Sequence, residues 1–175
     1  IVIYGGKAHL LEFNSLIAEF EDSIHAIGPA YIAIRSNCIM SLVPPYGDLV
    51  KPPALISELI GLKGIVLEDS ENGELVNNSI GGMKEVAVLL RNSQNNVVDE
   101  TEVFGSNVGI RLDSSSGNNV TRSRATGNTE GLVLDHSDDN FIAGNIVENS
   151  DSGVSLFESN GNLLSYNLIL QNNIG

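Results

Sequence analysis

Residues 109–130 read GIRLDSSSGNNVTRSRATGNTE, residues 131–152 read GLVLDHSDDNFIAGNIVENSDS, and residues 153–174 read GVSLFESNGNLLSYNLILQNNI. Each line has 22 residues, begins with a Gly-apolar-x-Leu block, and continues with Asn-apolar pairs such as Asn140-Phe141 and Asn162-Leu163. Blocks of the same kind begin at Gly64 and Ala87, at steps of 23 and 22 residues. Five consecutive lines with one period predict an architecture of stacked repeats.

The content of each line decides which repeat architecture it builds. Short apolar patches with alternating periodicity are separated by Asn, Asp, Gly and Ser clusters, which are typical of turns. No line holds a stretch with helical periodicity, which excludes a helix in each repeat. In leucine-rich repeats Asn follows the strand leucines closely, whereas Asn140 comes six residues after Leu134. The sequence therefore predicts a β-solenoid with about three short strands per coil, paired in parallel from coil to coil.

The residues at 140–147 and 162–169, with Asn followed by apolar residues twice in each, resemble the repeat of a known family. They are similar to the right-handed parallel β-helix of the pectate-lyase-like superfamily, and to its NosD-like repeats in particular. This resemblance implies an all-β fold of about five coils over residues 64–175 and an extracellular or envelope location. The superfamily holds lyases, hydrolases, epimerases, tailspikes and inert stalks, so the resemblance implies a fold and leaves the activity open.

The amino-acid composition argues against several classes of binding partner. The 175 residues include 9 Lys and Arg against 22 Asp and Glu, which gives a formal charge of -13. This balance argues against nucleic acid and disfavours anionic membrane surfaces. No apolar run approaches the roughly 20 residues that span a bilayer, so no membrane insertion is expected. The single Cys38 excludes an internal disulfide framework and a zinc site built on cysteines.

Residues 1–63 differ from the repeats, because they contain 2 of the 20 Asn residues. Between residues 8 and 27 an apolar stripe recurs at steps of three and four, as in an amphipathic helix. Its members are Leu10, Phe13, Ile17, Phe20, Ile24 and Ile27. We expect this helix to cap the N-terminal end of the solenoid, since exposed strand edges recruit other chains. The alternative use of the stripe is a partner helix.

The rest of the predicted cap is less regular. Residues 30–43 are strand-like and predict one irregular coil. Pro44-Pro45 and Pro52-Pro53 then bracket a loop that cannot lie in a central strand. Residues 54–62 fit either a short helix or a strand.

Alternation in the first strand of each line places candidate functional residues on the outer surface. Ile110 and Leu112 are expected to point inward, and Arg111 and Asp113 outward. One coil later the outward positions hold Val133 and Asp135, and in the following coil Ser155 and Phe157. Asp113 and Asp135 are therefore expected to stack about one strand spacing apart, with Leu90 and Phe157 flanking the pair. Asn145 and Asn167, one period apart as well, predict an internal amide ladder.

Two stacked carboxylates repel, so either the pKa of one rises or a cation binds between them. A calcium-assisted lyase needs acids that hold the metal and a basic group that takes a proton, and Arg111 and His136 are the candidate catalytic residues. The alternative is a solvated surface on which Arg111 pairs with the aspartates. Calcium usually takes six or more oxygens, so Asp113 and Asp135 are expected to bind it weakly, and no other cofactor is expected.

Two functions remain open. The first is a non-catalytic extracellular or envelope scaffold, stalk or glycan-contacting surface, with Arg111, Asp135 and Phe157 as contact residues and polysaccharide or other envelope proteins as partners. The second is a polysaccharide-acting enzyme, a uronate lyase or epimerase. Five coils give a stack of about 20–25 Å, which is short for a long substrate groove and favours the first function. The last coil ends without a recognisable cap, which predicts either further coils or self-association through this end.

Overall fold

The computed structural model describes residues 1–4, 9–12, 15–18, 22–28, 32–41 and 61–175. These residues form three parallel sheets of seven strands each. The first sheet contains β1 (Val2–Tyr4), β4 (Asp22–Ile27), β7 (Lys63–Glu68), β10 (Val86–Arg91), β13 (Val108–Asp113), β16 (Glu130–Asp135) and β19 (Ser152–Phe157). The second sheet contains β2 (His9–Glu12), β5 (Ile32–Arg35), β8 (Glu74–Val76), β11 (Val97–Asp99), β14 (Asn119–Thr121), β17 (Phe141–Ala143) and β20 (Leu163–Ser165). The third sheet contains β3 (Ser15–Ala18), β6 (Cys38–Ser41), β9 (Ser79–Gly81), β12 (Glu102–Phe104), β15 (Arg124–Thr126), β18 (Ile146–Glu148) and β21 (Leu168–Leu170).

One strand from each sheet makes a coil, and the five coils predicted over residues 64–175 are confirmed. The register between coils follows the sequence period, since Ile110 pairs with Leu132 and Leu132 with Val154. Ile110 and Leu112 are buried, while Arg111 and Asp113 between and beyond them are partly exposed, as the alternation predicts. The fold is a parallel β-solenoid with its apolar core inside the coils.

Glycine begins four of the five blocks, and at the blocks that start at Gly109 and Gly131 it has a steric cause. A Cβ added to Gly109 would lie 2.5 Å from the carbonyl oxygen of Gly131, and one added to Gly131 would lie 2.3 Å from Cγ1 of Val147. At these two positions the first strand therefore passes too close to the next coil and to the third sheet to carry a side chain, whereas Ala87 carries a methyl group at the same register position. This close approach explains why the Gly-apolar-x-Leu block marks the fold so clearly.

The turn after each first strand needs a left-handed backbone. The residue directly following the strand has a positive φ in five successive coils. These residues are Asp69, Asn92, Ser114, His136 and Glu158. Asp and Asn tolerate this conformation better than most residues, which accounts for their frequency in the turns.

Polar residues continue inside the solenoid as ladders. The amide of Asn145 donates to Oδ1 of Asn167 at 3.0 Å, which confirms the predicted ladder. A longer ladder joins Asn96, Asn118 and Asn140, each of which donates through Nδ2 to the Oδ1 of the Asn one coil later. These side chains are buried and satisfied, so the ladders fix the turns from within.

The predicted helix over residues 8–27 is wrong for the described residues, which form β2, β3 and β4 instead. Leu10, a member of the helical stripe, is exposed, whereas its neighbour Leu11 packs against the core. The cause is pairing with the next coil, since His9 lies opposite Ile32 and Ser15 lies opposite Cys38. Hydrogen bonds along a sheet outweigh helical periodicity, because a lone amphipathic helix gains no such partners.

The strand-like prediction for residues 30–43 is confirmed where it is described, as β5 and β6. The Pro-rich loop and most of residues 54–62 lie outside the described residues. The division of the chain at residue 63 therefore stays a prediction, although strands from both sides of it share all three sheets. Within the described ranges no helix is long and apolar enough to cross a membrane.

Candidate functional site

The outer surface of the first sheet carries every predicted site residue except His136, which follows β16 directly. Two register columns define this surface. The first, called the apolar column because three of its five residues are apolar, contains Val66, Leu89, Arg111, Val133 and Ser155. The charged column contains Glu68, Arg91, Asp113, Asp135 and Phe157.

Asp113 and Asp135 are register partners, as predicted, but Leu90 does not flank them. Leu90 pairs with Leu112 and is buried, whereas Arg91 pairs with Asp113. The prediction placed the neighbouring strand one residue out of register. Arg91 lies one full period before Asp113, so the period itself identifies the residue that was missed.

Arginine pairs with all three carboxylates of the charged column. Nε of Arg91 lies 3.5 Å from Oδ2 of Asp113, and its Nη1 lies 3.8 Å from Oε1 of Glu68. Arg111 reaches across from the apolar column and donates through Nη2 to Oδ2 of Asp135. Each of the two stacked aspartates therefore has an arginine partner, which offsets the repulsion between their negative charges.

His136 lies between two carboxylates at the end of β16. Its Nδ1 is 2.7 Å from Oδ1 of Asp135, and its Nε2 is 2.6 Å from Oε2 of Glu158. The ring meets Phe157 edge-on, with centroids 5.6 Å apart. The hydrogen bond with Asp135 raises the pKa of His136 above its ordinary value of 6.5, and this effect outweighs the opposing loss of hydration. The charges of Glu158 and Asp135 act in the same direction as the hydrogen bond, so the site favours the protonated ring.

A groove of about 270 Å³ runs along this surface on the N-terminal side of Asp135. Its lining contains both apolar and charged or polar side chains. The lining residues are Lys63, Glu85, Val86, Leu89, Arg91, Asn107, Val108, Arg111 and Asp113. At the far rim Nζ of Lys63 lies 3.5 Å from Oε2 of Glu85.

The structure brings Arg111, Asp135, His136 and Phe157 into one continuous cluster, with Arg111 and Asp113 also lining the groove. Lys63, Glu85, Arg91 and Glu158 belong to the same surface and were missed. Two of them carry a signal in the sequence, because Arg91 lies one period before Asp113 and Glu158 lies one period after His136, whereas Lys63 pairs with Val86, which was not predicted. Glu85 precedes its strand, and no pattern in the sequence marks it.

Metal ligands are sparse on this surface. Nowhere in the described ranges do three or more His, Cys, Asp and Glu side chains form a group able to hold a metal ion. Asp113 accepts from Ser114 Oγ at 3.3 Å in addition to its contact with Arg91. Its oxygens are thus already engaged by donors of the chain itself.

Solved structures with this fold include the periplasmic alginate epimerase AlgG. The unsubstituted protein superposes with a TM-score of 0.76 at 14% sequence identity over 95% of this chain. Two variants of it match with TM-scores of 0.74 and 0.73 at 16% and 14% identity. This chain spans 47% of each of those structures, so about half of their length has no counterpart here. At this identity the likeness establishes the fold.

No curated protein sequence matches the chain. A family described as periplasmic copper-binding protein (NosD) matches residues 59–175, which are two thirds of the chain and contain the five regular coils. The match confirms the resemblance to NosD-like repeats, and the periplasmic description agrees with the expected extracellular or envelope location. The chain belongs to the NosD family of parallel β-helix proteins.

Proposed function

We propose that the chain is a non-catalytic envelope β-helix whose groove on the first sheet contacts polysaccharide. The observation that carries this proposal is the groove itself, whose lining combines the nearly buried apolar residues Val86, Leu89 and Val108 with hydrogen-bonding side chains. Sugar rings present apolar faces and a belt of hydroxyl groups, which such a lining complements. The exposed ring of Phe157 beyond the cluster offers a further contact surface.

The charge of the lining supports the same partner. Three of the nine Lys and Arg residues of the chain line the groove, against two carboxylates, although the whole chain has a charge of -13. Each of these three cations is paired with a carboxylate, and Glu68 and Asp135 lie just beyond the lining, so the groove is close to neutral whereas the whole molecule is strongly acidic. A nearly neutral groove favours a neutral glycan over a strongly charged partner.

The state of the cluster supports a non-catalytic role. A lyase or epimerase needs a group that takes a proton from the sugar. His136 is hydrogen-bonded through both nitrogens, and its raised pKa keeps the ring protonated to higher pH. Arg111, the other candidate, is held by Asp135. Neither group is presented to the groove as a free base.

The second candidate function is a uronate epimerase or lyase, and one observation favours it. The fold of the periplasmic alginate epimerase matches 95% of this chain. In that case Arg111 would bind the uronate carboxylate and His136 would act as the base after its carboxylate partners move. Recognition of another envelope protein by the same surface is the remaining alternative.

Binding is tested by isothermal titration calorimetry with soluble oligosaccharides, both neutral and uronate-based. We expect binding to one class and a loss of at least about tenfold in affinity for Arg111→Gln, as for removal of one charged hydrogen bond. Arg124→Gln is the matched control, because Arg124 is an exposed, ion-paired arginine on the third sheet, away from the groove. Equal loss in both variants, or no binding by the parent chain, contradicts the proposal.

Catalysis is tested on the same panel with calcium and with a chelator. Unsaturated products detected by ultraviolet absorbance would indicate a lyase, and a changed ratio of uronate epimers in NMR spectra would indicate an epimerase. We expect neither. Either activity, if lost in His136→Gln, would replace the non-catalytic proposal by the second one.

We further propose that calcium binds weakly at Asp113 and Asp135. Each carboxylate already contacts an arginine, so a cation would have to displace a guanidinium as well as water. Calorimetric titration is expected to give no submicromolar affinity. Such affinity in the parent chain and its loss in Asp135→Asn would overturn this expectation.

The family description also names copper, which calls for a fit test on this chain. Copper sites in proteins use imidazole, thiolate and thioether ligands. Residues 59–175, where the family matches, contain one His, one Met and no Cys. Met83 is buried in the core and His136 is bound to two carboxylates. These residues do not fit a copper site, and no step of the proposed function involves copper.

A further inference from the structure

We infer that the repeat region of this chain, residues 59–175, holds no copper site. The chain would then have the fold of its family without the copper site that the family description names. The inference rests on the positions of all the soft donors in the chain. These are His9, His25, Cys38, Met40, Met83 and His136, and all six lie within the described ranges.

The two donors inside residues 59–175 cannot share a metal. Met83 precedes β10, whereas His136 follows β16, so they lie at opposite ends of the first-sheet strands. A six-residue strand such as β10 is about 20 Å long, and the two strands are separated by two coil steps of about 4.8 Å. Copper–ligand bonds are about 2 Å, on the scale of other first-row metals.

Neither donor has a second soft ligand nearby, and within the described ranges no group of three or more His, Cys, Asp and Glu side chains could hold a metal ion. The side chain of Met83 packs among core residues and is 1% exposed. The nitrogens of His136 are 2.7 and 2.6 Å from carboxylate oxygens, so a metal would have to break an ion pair to reach either one. The carboxylates themselves are hard ligands, which suit magnesium and calcium better than cuprous copper.

The remaining donors lie on the first two coils, outside the family match. His9 begins β2, His25 lies within β4 and contacts Glu68 at 2.8 Å, and Cys38 and Met40 lie on β6. Alternation places the last two on the same exposed side of the strand. Any copper that this chain retains must therefore depend on residues before position 59.

The test is a competition titration of the 175-residue chain with Cu(I) against a chromogenic chelator, repeated with Cu(II) and electron paramagnetic resonance. One variant removes every soft donor outside the repeats, through His9→Gln, His25→Gln, Cys38→Ser and Met40→Leu. A second variant, His136→Gln, removes the exposed donor inside them, and a third, Met83→Leu, replaces the buried one with a residue of similar volume.

We expect either no retained copper in the parent chain or retained copper that the first variant loses and the second and third keep. Both results support the inference. One equivalent of copper held by the first variant against the chelator would overturn it, as would loss of copper in His136→Gln or Met83→Leu. Circular dichroism of each variant confirms that the coils are intact before titration.

Discussion

At the scale of single residues, the buried asparagines contribute more to this fold than their polarity suggests. Asn118 donates through Nδ2 to the carbonyl of Ser93 at 3.0 Å and to Oδ1 of Asn140 at 3.1 Å. Its own Oδ1 accepts from the backbone N–H of Asn96 at 2.9 Å. One side chain therefore satisfies two main-chain groups in the preceding coil and bonds to a side chain in the following coil, which no apolar residue can do.

We predict that Asn118→Ala destabilises the chain by about 2–4 kcal/mol, because it leaves buried donors and acceptors in the adjoining coils unpaired. The control is Asn119→Ala, one residue later on an exposed position, with an expected change within about 0.5 kcal/mol. Urea unfolding followed by circular dichroism measures both. Similar values for the two variants would mean that the ladder contributes little.

His136 makes the stability of the chain depend on pH. Because the folded pKa of His136 is raised, its contribution is fully present below the unfolded value of 6.5 and is lost as pH rises through the folded pKa. We predict that stability falls as the pH rises above the unfolded value and that His136→Gln removes this part of the pH dependence. Urea unfolding at a series of pH values checks it, and an unchanged profile in the variant would contradict it.

At the scale of strands, periodicity predicted the five regular coils and missed the first two. In residues 109–174 glycine and asparagine mark each line, so the register of β13, β16 and β19 follows from counting. Before residue 42 a similar step is present, as in the pairing of Val2 with His25, but without those markers. Ile24 then pairs with Ile65, which lies much further along the chain than one period, so the repeat is interrupted there. When the Gly and Asn markers are absent, apolar residues on successive short strands can recur at steps of three and four, which is the same spacing as in an amphipathic helix.

One inward column contains a residue smaller than its neighbours. Through the third sheet this column contains Ile80, Val103, Ala125, Val147 and Ile169. Ala125 lines a small cavity of about 10 Å³ inside the coils, together with Ile110, Leu132 and Val147. The cavity follows from the missing methyl groups at this position.

We predict that Ala125→Val stabilises the chain by about 1 kcal/mol, since it buries two methyl groups where space exists and restores the shape of the column. Ala143→Val is the control, because Ala143 lies on the outer surface of β17 and gains only strand propensity. Thermal unfolding of both variants separates the two effects. A lower midpoint for Ala125→Val would show that the cavity is too small for the added atoms.

At the scale of the whole molecule, the sequence predicted the surface on which the candidate site lies, but it did not predict the ion pairs between the site residues. Alternation placed Arg111, Asp113, Asp135 and Phe157 on one surface, and the structure agrees. The ion pairs depend on long side chains that reach across columns, as Arg111 does to Asp135, and a repeat period carries no information on such rotamers. The groove likewise requires the relative positions of three coils, which counting residues does not provide.

The last coil exposes residues that occupy core columns in the coils before it. Leu156, Leu164 and Ile169 follow Leu134, Ile142 and Val147 in register, yet they are 44%, 38% and 38% exposed. Each such side chain gains about 2 kcal/mol when it is fully buried, and the strand edges beside them have unpaired backbone groups. Burial of these side chains and pairing of these strand edges against a second copy would therefore favour association of the isolated 175 residues through this end.

We predict that residues 1–175, prepared by themselves, form concentration-dependent oligomers and that the double variant Leu164→Lys and Ile169→Lys shifts them toward the monomer, because the charges would have to be buried at the contact. Phe141→Lys is the matched control: Phe141 is 38% exposed, like Leu164, but lies on the side of the solenoid rather than at its end. Sedimentation velocity over a wide range of protein concentration measures the association. A parent chain that sediments as a monomer at every concentration would refute the prediction, and an equal shift in Phe141→Lys would place the contact on the outer surface of the second sheet rather than at the end of the solenoid.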